Sequence, residues 1–325
     1  MQWNRVYKLM LGSAGNEGVL LTNLNDDGTV KRDAIRISFD IDKDTTKRTN
    51  KSKIKIWNLS DDTLDKIEKN DLFVELYVGY KDDVGLKRIF VGYALTVETK
   101  NANGGKDLLT EITAADGQVQ IRDSIMSVGY PSGINSKVIL NGIASTMGLS
   151  LFVADDVDFP DYPDGFSYVG YAKDALDIVC GALGGSWSVQ NEILQVILNE
   201  GTTGLKGLVF NSNSGLIGFP ERLVRSAYAA AKQTQTTVSE APKLKKDGTP
   251  RKKRAKKAKK LKKQKQYGWK ATAQLAPTVN PGDAVRLESS MISGWLKVES
   301  VKHSGDTHSN EWVSEMELIE VLLDE

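Results

Sequence analysis

The sequence predicts a mainly β protein with an α+β middle. Three observations carry that reading. Apolar and polar residues alternate with period two through the first and last thirds of the chain. Between them, around 139–147 and 172–183, the apolar period lengthens to that of a helix. Short clusters of Gly, Asn, Asp and Pro separate the runs, as turns between strands require.

The first strand signal is Ile35–Ile41, where Ile35, Ile37, Phe39 and Ile41 alternate with Arg36, Ser38 and Asp40. Lys53–Leu59 sets Ile54 and Ile56 against Lys53 and Lys55. A short helix is expected next, with Ser60 as N-cap, Asp61 and Asp62 at its positive end, Lys66 and Lys69 at its other end, and Leu64 and Ile67 as its buried stripe. Leu72, Val74, Leu76 and Val78 form the next strand, closed by a polar turn from Gly79 to Gly85. Arg88–Thr99 and Asp107–Ala115 flank Asn101-Ala102-Asn103-Gly104-Gly105 and read as a hairpin. About six strands and one small helix in this stretch suit a compact barrel or sandwich.

After Asp116-Gly117 the period changes. Ile139, Ile143 and Met147 recur at helical spacing, with Gly148 placed to end the helix. Ala172, Ala175, Leu176, Val179, Cys180 and Leu183 line one face of a second helix, which Gly184-Gly185 terminates. Trp187–Gln190 and Ile193–Leu198 form a two-residue hairpin around Asn191-Glu192. The last third returns to strands: Trp269 to Leu275, then the turn Asn280-Pro281-Gly282-Asp283, Val285 and Leu287, Trp295–Val301 after Gly294, a turn at Gly305-Asp306, and Trp312–Leu322.

The chain has 325 residues, long enough for two or three domains, and 40% of them are hydrophobic, enough for real cores. No apolar run approaches the ~20 residues of a membrane helix, and Leu9–Leu11 is too short for a signal peptide. One cysteine, Cys180, excludes a disulfide framework and a multi-cysteine zinc site. The net charge of +1 hides two unlike parts. Residues 243–265 hold 14 Lys and Arg against one acid, Asp247, which leaves 29 basic and 41 acidic residues elsewhere and a body at −12.

Little points to catalysis. His303 and His308 flank one predicted turn and read as ordinary turn or strand histidines; no Gly-x-Ser-x-Gly accompanies them. The run Asp155, Asp156, Asp158, Asp161 and Asp164 lacks the calcium-loop pattern, because Pro160 interrupts it and no glutamate closes it. No phosphate-binding glycine loop occurs, and no feature selects a glycosidase pair among the 42 acids. Neither a cofactor nor a metal is expected.

The extreme local feature is basic. Arg251, Lys252, Lys253, Arg254, Lys256, Lys257, Lys259, Lys260, Lys262, Lys263 and Lys265 crowd one arm, inside a stretch from Gln233 to Gln266 without apolar periodicity. It reads as a solvated loop or as a contact for a polyanion or an acidic protein surface. Aromatics lie only beyond it, at Tyr267 and Trp269, so any nucleic-acid contact would be to phosphates and without sequence preference.

Several segments in order resemble a known family. Phe39-Asp40-Ile41-Asp42-Lys43 followed by Lys53-Ile54-Lys55-Ile56-Trp57-Asn58-Leu59-Ser60, and then Gly79-Tyr80 with Ile89-Phe90-Val91-Gly92, are similar to the opening module of bacteriophage tail baseplate hub proteins of the Mu-like, late control protein D-like type. Gly148-Leu149 and Tyr168-Val169-Gly170-Tyr171-Ala172-Lys173-Asp174-Ala175-Leu176-Asp177 resemble the central module. Gly215-Leu216-Ile217-Gly218-Phe219-Pro220-Glu221 resembles the link to the last one. Asn280-Pro281-Gly282-Asp283 and His303-Ser304-Gly305-Asp306-Thr307, with Trp312, resemble its end. The resemblance spans the chain apart from about 222–266.

What the resemblance implies is structural. It implies two tube-like β-barrel domains, 1–115 and 201–325, flanking an α+β module at 116–200; the basic insertion at about 233–266, which interrupts the second domain, departs from the family's usual pattern. It implies a homotrimer without catalytic residues, joining the tail tube protein to the central spike protein. The trimer would touch the tape-measure protein terminus and other baseplate proteins, and let genome DNA pass. The place is the virion tail baseplate, after synthesis in the host cytoplasm. An acidic wall would suit a DNA conduit. Two rivals stand beside it: a non-specific nucleic-acid-binding protein acting through the arm 243–265, and a tail-associated peptidoglycan hydrolase.

Overall fold

The computed structural model describes residues 4–13, 18–67, 71–228 and 263–320. The chain begins with β1 (Arg5–Gly12), β2 (Val19–Thr22), β3 (Ile37–Asp44) and β4 (Lys51–Trp57). Then come α1 (Asp61–Ile67), β5 (Phe73–Tyr80), β6 (Gly85–Ala102) and β7 (Asp107–Ala115). All pair antiparallel, in the spatial order β3-β4-β7-β6-β5-β1-β2. Alternation decides the faces, as expected: Ile37, Phe39, Ile41, Ile54, Ile56 and Ile112 are buried in one core cluster. β1 and β2 lie outside the strands expected from alternation. In β1 Val6 and Tyr7 are buried in succession, which blurs period two.

The middle region contains α2 (Gln118–Asp123), β8 (Ile125–Tyr130), β9 (Ile134–Asn135), α3 (Ser136–Met147), β10 (Ser150–Val153), β11 (Asp161–Tyr162) and β12 (Phe166–Tyr171). α4 (Ala172–Ala182), β13 (Gly185–Gln190) and β14 (Ile193–Leu198) follow. Ile139, Ile143 and Met147 of α3 and Ala175, Leu176, Val179 and Cys180 of α4 share a second core cluster with Trp187 and Val189. Both helices run as their periodicity indicates. Asn135 caps α3 by accepting from the Lys137 N–H, and Gly148 ends it in the left-handed conformation at φ 68°.

The last region holds β15 (Lys206–Phe210), β16 (Leu216–Tyr228), β17 (Lys263–Gln274), β18 (Ala284–Glu288), β19 (Ser293–Asp306) and β20 (Trp312–Glu320). β17 starts at Lys263, inside the basic run, where no apolar alternation marks a strand. Its first residues are held by backbone pairing with β16, through Tyr228↔Lys263 and Ser226↔Lys265.

Non-local pairing joins the two β-regions. β19 runs antiparallel to β3 from Ser300↔Asp44 to Asp306↔Ser38. One sheet therefore continues in the order β16-β17-β20-β19-β3-β4-β7-β6-β5-β1-β2, with β18 on β19 and β15 on β18 beside this path. Gly294 and Gly305-Asp306, read from sequence as breaks, lie within β19. Gly305 has a packing reason: a Cβ there would stand 2.4 Å from Phe39 Cζ and 2.6 Å from Trp312 Cε3. It leaves room for two rings to meet edge to face at the seam, 5.2 Å between centroids.

Candidate functional site

The seam sheet has two faces of opposite character. Directly paired residues share a face. One face carries Lys43 and Ile41 opposite Val301 and His303, then Met316 and Ser314. The other carries Asp40, Asp42 and Asp44 opposite Ser304, Lys302 and Ser300, and then Val313, Glu315 and Glu317. Ion pairs span neighbouring strands on this second face: Lys302 with Asp40 at 2.9 Å, Lys270 with Glu315 at 3.1 Å, and Lys53 with Glu111 at 2.8 Å. Asp40 is held below the ordinary carboxylate range by Lys302 and Ser304, against the opposing effect of its partial burial. Asp42 is pushed up, by burial first and then by Asp40, Asp44 and Glu315. A shallow groove lined by Asp42, Asp44, Lys270, Lys302, Glu315 and Glu317 lies here. The surface alternates in sign from strand to strand; it is not a uniformly acidic wall.

Beneath the opposite face, the three regions meet around buried polar groups. The Asn191-Glu192 turn of the β13–β14 hairpin enters from the middle region. Both residues have positive φ, 52° and 64°, as a two-residue turn of this kind needs. Asp116, at the end of β7, holds that turn. Its carboxylate accepts from the backbone N–H of Asn191 (2.5 Å) and of Glu192 (3.2 Å). Asn50 donates to Val189 O at 2.8 Å and Gln190 Oε1 at 2.9 Å, while Gln190 donates back to Asp44 O at 2.7 Å.

Lys43 is at the centre and is 2% exposed. Its Nζ donates to Asn191 Oδ1 (3.3 Å) from the middle region and to Asn280 Oδ1 (3.1 Å) from the loop before β18. Burial pushes Lys43 down to about 8; Asp116 and Asp283 oppose that shift and Arg88 adds to it. Burial pushes Asp116 up to about 6, against its two backbone donors and Lys43. Asp283 is also pushed up by burial, and accepts from Thr203 Oγ1 at 2.7 Å and from the Asn280 N–H at 3.0 Å. Gln195 Nε2 donates to Pro281 O at 3.0 Å, a further tie between the middle and last regions.

His303, read as a turn or strand residue, is a fully buried strand residue. Its Nδ1 shares a hydrogen bond with Ser314 Oγ at 2.8 Å. Burial, and secondarily Lys43, push it down to about 3. The native state therefore resists the proton that the unfolded chain accepts near pH 6.5. Stability contributed by neutral His303 is complete above that pH and is lost as pH falls toward 3. Asp116 acts in the opposite sense between about 6 and its ordinary value of 3.8. His303→Gln is accordingly expected to gain stability relative to wild type as pH drops from 7 to 4.5, measured by urea unfolding at both pH values.

His308 is at the turn after β19, with Thr307 Oγ1 3.1 Å from its Nδ1. Cys180 is buried, its thiol pushed up to about 12 by burial. Of the basic arm, Arg251, Lys252, Lys253, Arg254, Lys256, Lys257, Lys259, Lys260 and Lys262 lie outside the described residues. Lys263 and Lys265 fall in the first residues of β17. Of the junction residues, Asn50, Asp116 and Asn191 carried no signal of their own in the sequence, since each sits where a solvated polar residue or a turn is the ordinary expectation; Lys43 falls on the apolar side of the β3 alternation.

No protein-family model matches the chain, and no curated protein matches it either. Solved structures do. The 43 kDa tail protein of prophage MuSo2 from Shewanella oneidensis is similar over 96% of this chain and 98% of its own, at 11% identity and a TM-score of 0.57. A tail protein from Neisseria meningitidis MC58 is similar over 97% and 96%, at 10% identity and a TM-score of 0.56. The E. coli c3393 protein is a component of the type VI secretion system with structural similarity to T4 bacteriophage tail proteins gp27 and gp5. It is similar over 90% of this chain and 74% of its own, at 8% identity and a TM-score of 0.51. The chain has the fold of these phage tail proteins, as the resemblance read from its segments implied.

Proposed function

We propose that the chain is a structural subunit of a phage tail baseplate: a trimeric hub that joins the tail tube to the central spike and forms part of the DNA conduit. The observation that carries this reading is the extent of the fold likeness, which takes in nearly the whole of both chains for the Shewanella and Neisseria tail proteins. In this reading 1–115 and 201–325 are the two tube-like domains and 116–200 the module between them. The shared sheet through β19 and β3 supports it, because it makes one rigid wall of two β-regions. The chain then works by assembly rather than by turning over a substrate.

The charged face over the seam is the candidate lining. Its paired charges present no extended positive field to which DNA phosphates would adhere, and Asp42 lies among the further acids Asp40, Asp44 and Glu315. Tube protein, spike, tape-measure terminus and neighbouring baseplate proteins are the expected partners. Light scattering on the purified protein, alone and mixed with its tube and spike proteins, tests the stoichiometry; three copies are expected and a stable monomer in the mixture would oppose the reading.

The basic arm 243–265 is proposed as a docking segment for an acidic neighbour in the particle, on its charge alone. Strong DNA contact there would hinder ejection. Deleting 243–265 is expected to leave the trimer intact and to reduce the yield of assembled tails in a complementation assay. Normal tail yield from the deleted chain would remove this role.

A further inference from the structure

The junction brings together the reactants of an amide-forming condensation. Lys43 Nζ lies 3.1 Å from Asn280 Oδ1. A carbonyl bond is ~1.2 Å long, so Cγ of Asn280 is within about 4.3 Å of that nitrogen. A modest side-chain shift brings the pair to the ~3–3.5 Å of a near-attack geometry. Two buried carboxyls, Asp116 and Asp283, act on Lys43 electrostatically, and the cations facing it are Arg88 and His303 when protonated. We propose that Lys43 and Asn280 form an intramolecular isopeptide bond, a covalent staple between β3 and the loop before β18.

The fold supplies the amine, the carboxamide and a way out for the leaving group. The nucleophile is the neutral amine, and burial, by pushing Lys43 down to about 8, makes that form accessible at neutral pH. Asp116 and Asp283, both pushed up by burial, act on that amine through space. Asp283 also fixes the electrophile's backbone by accepting the Asn280 N–H at 3.0 Å. The Nζ lone pair attacks Cγ and forms the Nζ–Cγ bond. The tetrahedral adduct collapses by breaking the Cγ–Nδ2 bond. The proton that Nζ gives up is taken by Nδ2, bonded to the same carbon in the adduct, and Nδ2 departs as ammonia. One amine and one carboxamide give one secondary amide and one ammonia, without oxidant or reductant. Asn280 Nδ2 points to Thr278 O at 3.2 Å on the exposed side, which gives ammonia a way out.

Asn191 Oδ1 is the other carboxamide oxygen on Lys43, at 3.3 Å. Asn280 is assigned as the electrophile because it is nearer and its leaving group faces solvent. The bond would make separation of the two β-regions at this end require breaking an amide, which suits a part that bears load.

Intact-mass measurement of the purified, denatured full-length chain tests this directly. The expected mass is lower than that of the sequence by one ammonia, and trypsin should release the Lys43 peptide joined to the Asn280 peptide. Lys43→Arg and Asn280→Ala should each restore the full mass. A wild-type chain at its full sequence mass, with trypsin cutting after Lys43, would overturn the proposal whether or not the variants fold. So would an ammonia loss mapped to Asn191 or to any other residue.

Discussion

Asp116→Ala is expected to destabilise the chain by about 3–5 kcal/mol, the cost of breaking a buried charged network by removing one partner. Asp116 holds the β13–β14 turn in place. Its carboxylate is the acceptor for two consecutive backbone donors, Asn191 and Glu192, in a turn where both residues are left-handed. Alanine leaves both part-buried N–H groups without their acceptor, each costing up to about 1–3 kcal/mol. It also removes a carboxylate that acts on the buried Lys43. Asp116→Asn keeps one acceptor oxygen and turns an NH2 toward the second donor, so about half the loss is expected. The guanidinium midpoint of the hairpin-containing transition, followed through the buried Trp187, measures both. Asp155→Ala, on the exposed loop, is the control, with a change within about 0.5 kcal/mol.

Trp312→Ala should be comparably severe, at about 3–5 kcal/mol. Trp312 is 2% exposed and belongs to the N-terminal core cluster although it is on β20. Its ring meets Phe39 edge to face, and the Arg5 guanidinium sits 5.4 Å from its centroid. The cavity left by alanine opens on the seam, beside a glycine that offers no side chain to fill it. Trp312→Phe should lose much less, because an edge contact with Phe39 survives. The Phe39→Leu, Trp312→Ala double-mutant cycle is expected to show coupling of about 1 kcal/mol. Protease cleavage between the two β-regions, faster in Trp312→Ala, is the readout specific to the seam.

Local elements were legible where side chains obey one period. α3 and α4 follow directly from Ile139, Ile143, Met147 and from Ala175, Leu176, Val179. The hairpin at Asn191-Glu192 and the turn at Asn280-Pro281-Gly282-Asp283 follow from turn chemistry. Elements with mixed faces escaped. On the β8–β12 ribbon Met126 and Phe166 point inward while Ile125, Val169 and Tyr171 are exposed, so apolar residues occupy both faces and the alternation disappears. The seam escaped for another reason: β3 and β19 are far apart in sequence, and nothing local in either strand names its partner. Gly305 was read as a turn because glycine most often is one; here it is a space between Phe39 and Trp312.

The junction was the least legible part. Lys43 sits at a core-facing position of β3 where alternation calls for an apolar residue, and that mismatch is the signal that could have found it. The charge separation in the composition led instead to the arm, most of which lies outside the described residues. The physical lesson concerns burial. A single lysine becomes informative once three regions supply its partners, and only the fold brings Asn191, Asn280 and Asp116 to it.

The central claim is that this chain sits at the junction of tail tube and spike. A reconstruction of the tail tip, imaged by electron microscopy from particles that encode the chain, tests it most directly. The account expects three copies between the last tube ring and the spike, with the Asp40–Lys302–Glu315 face turned toward the lumen. Particles in which the chain is absent from that junction, or present there in another number, would contradict it.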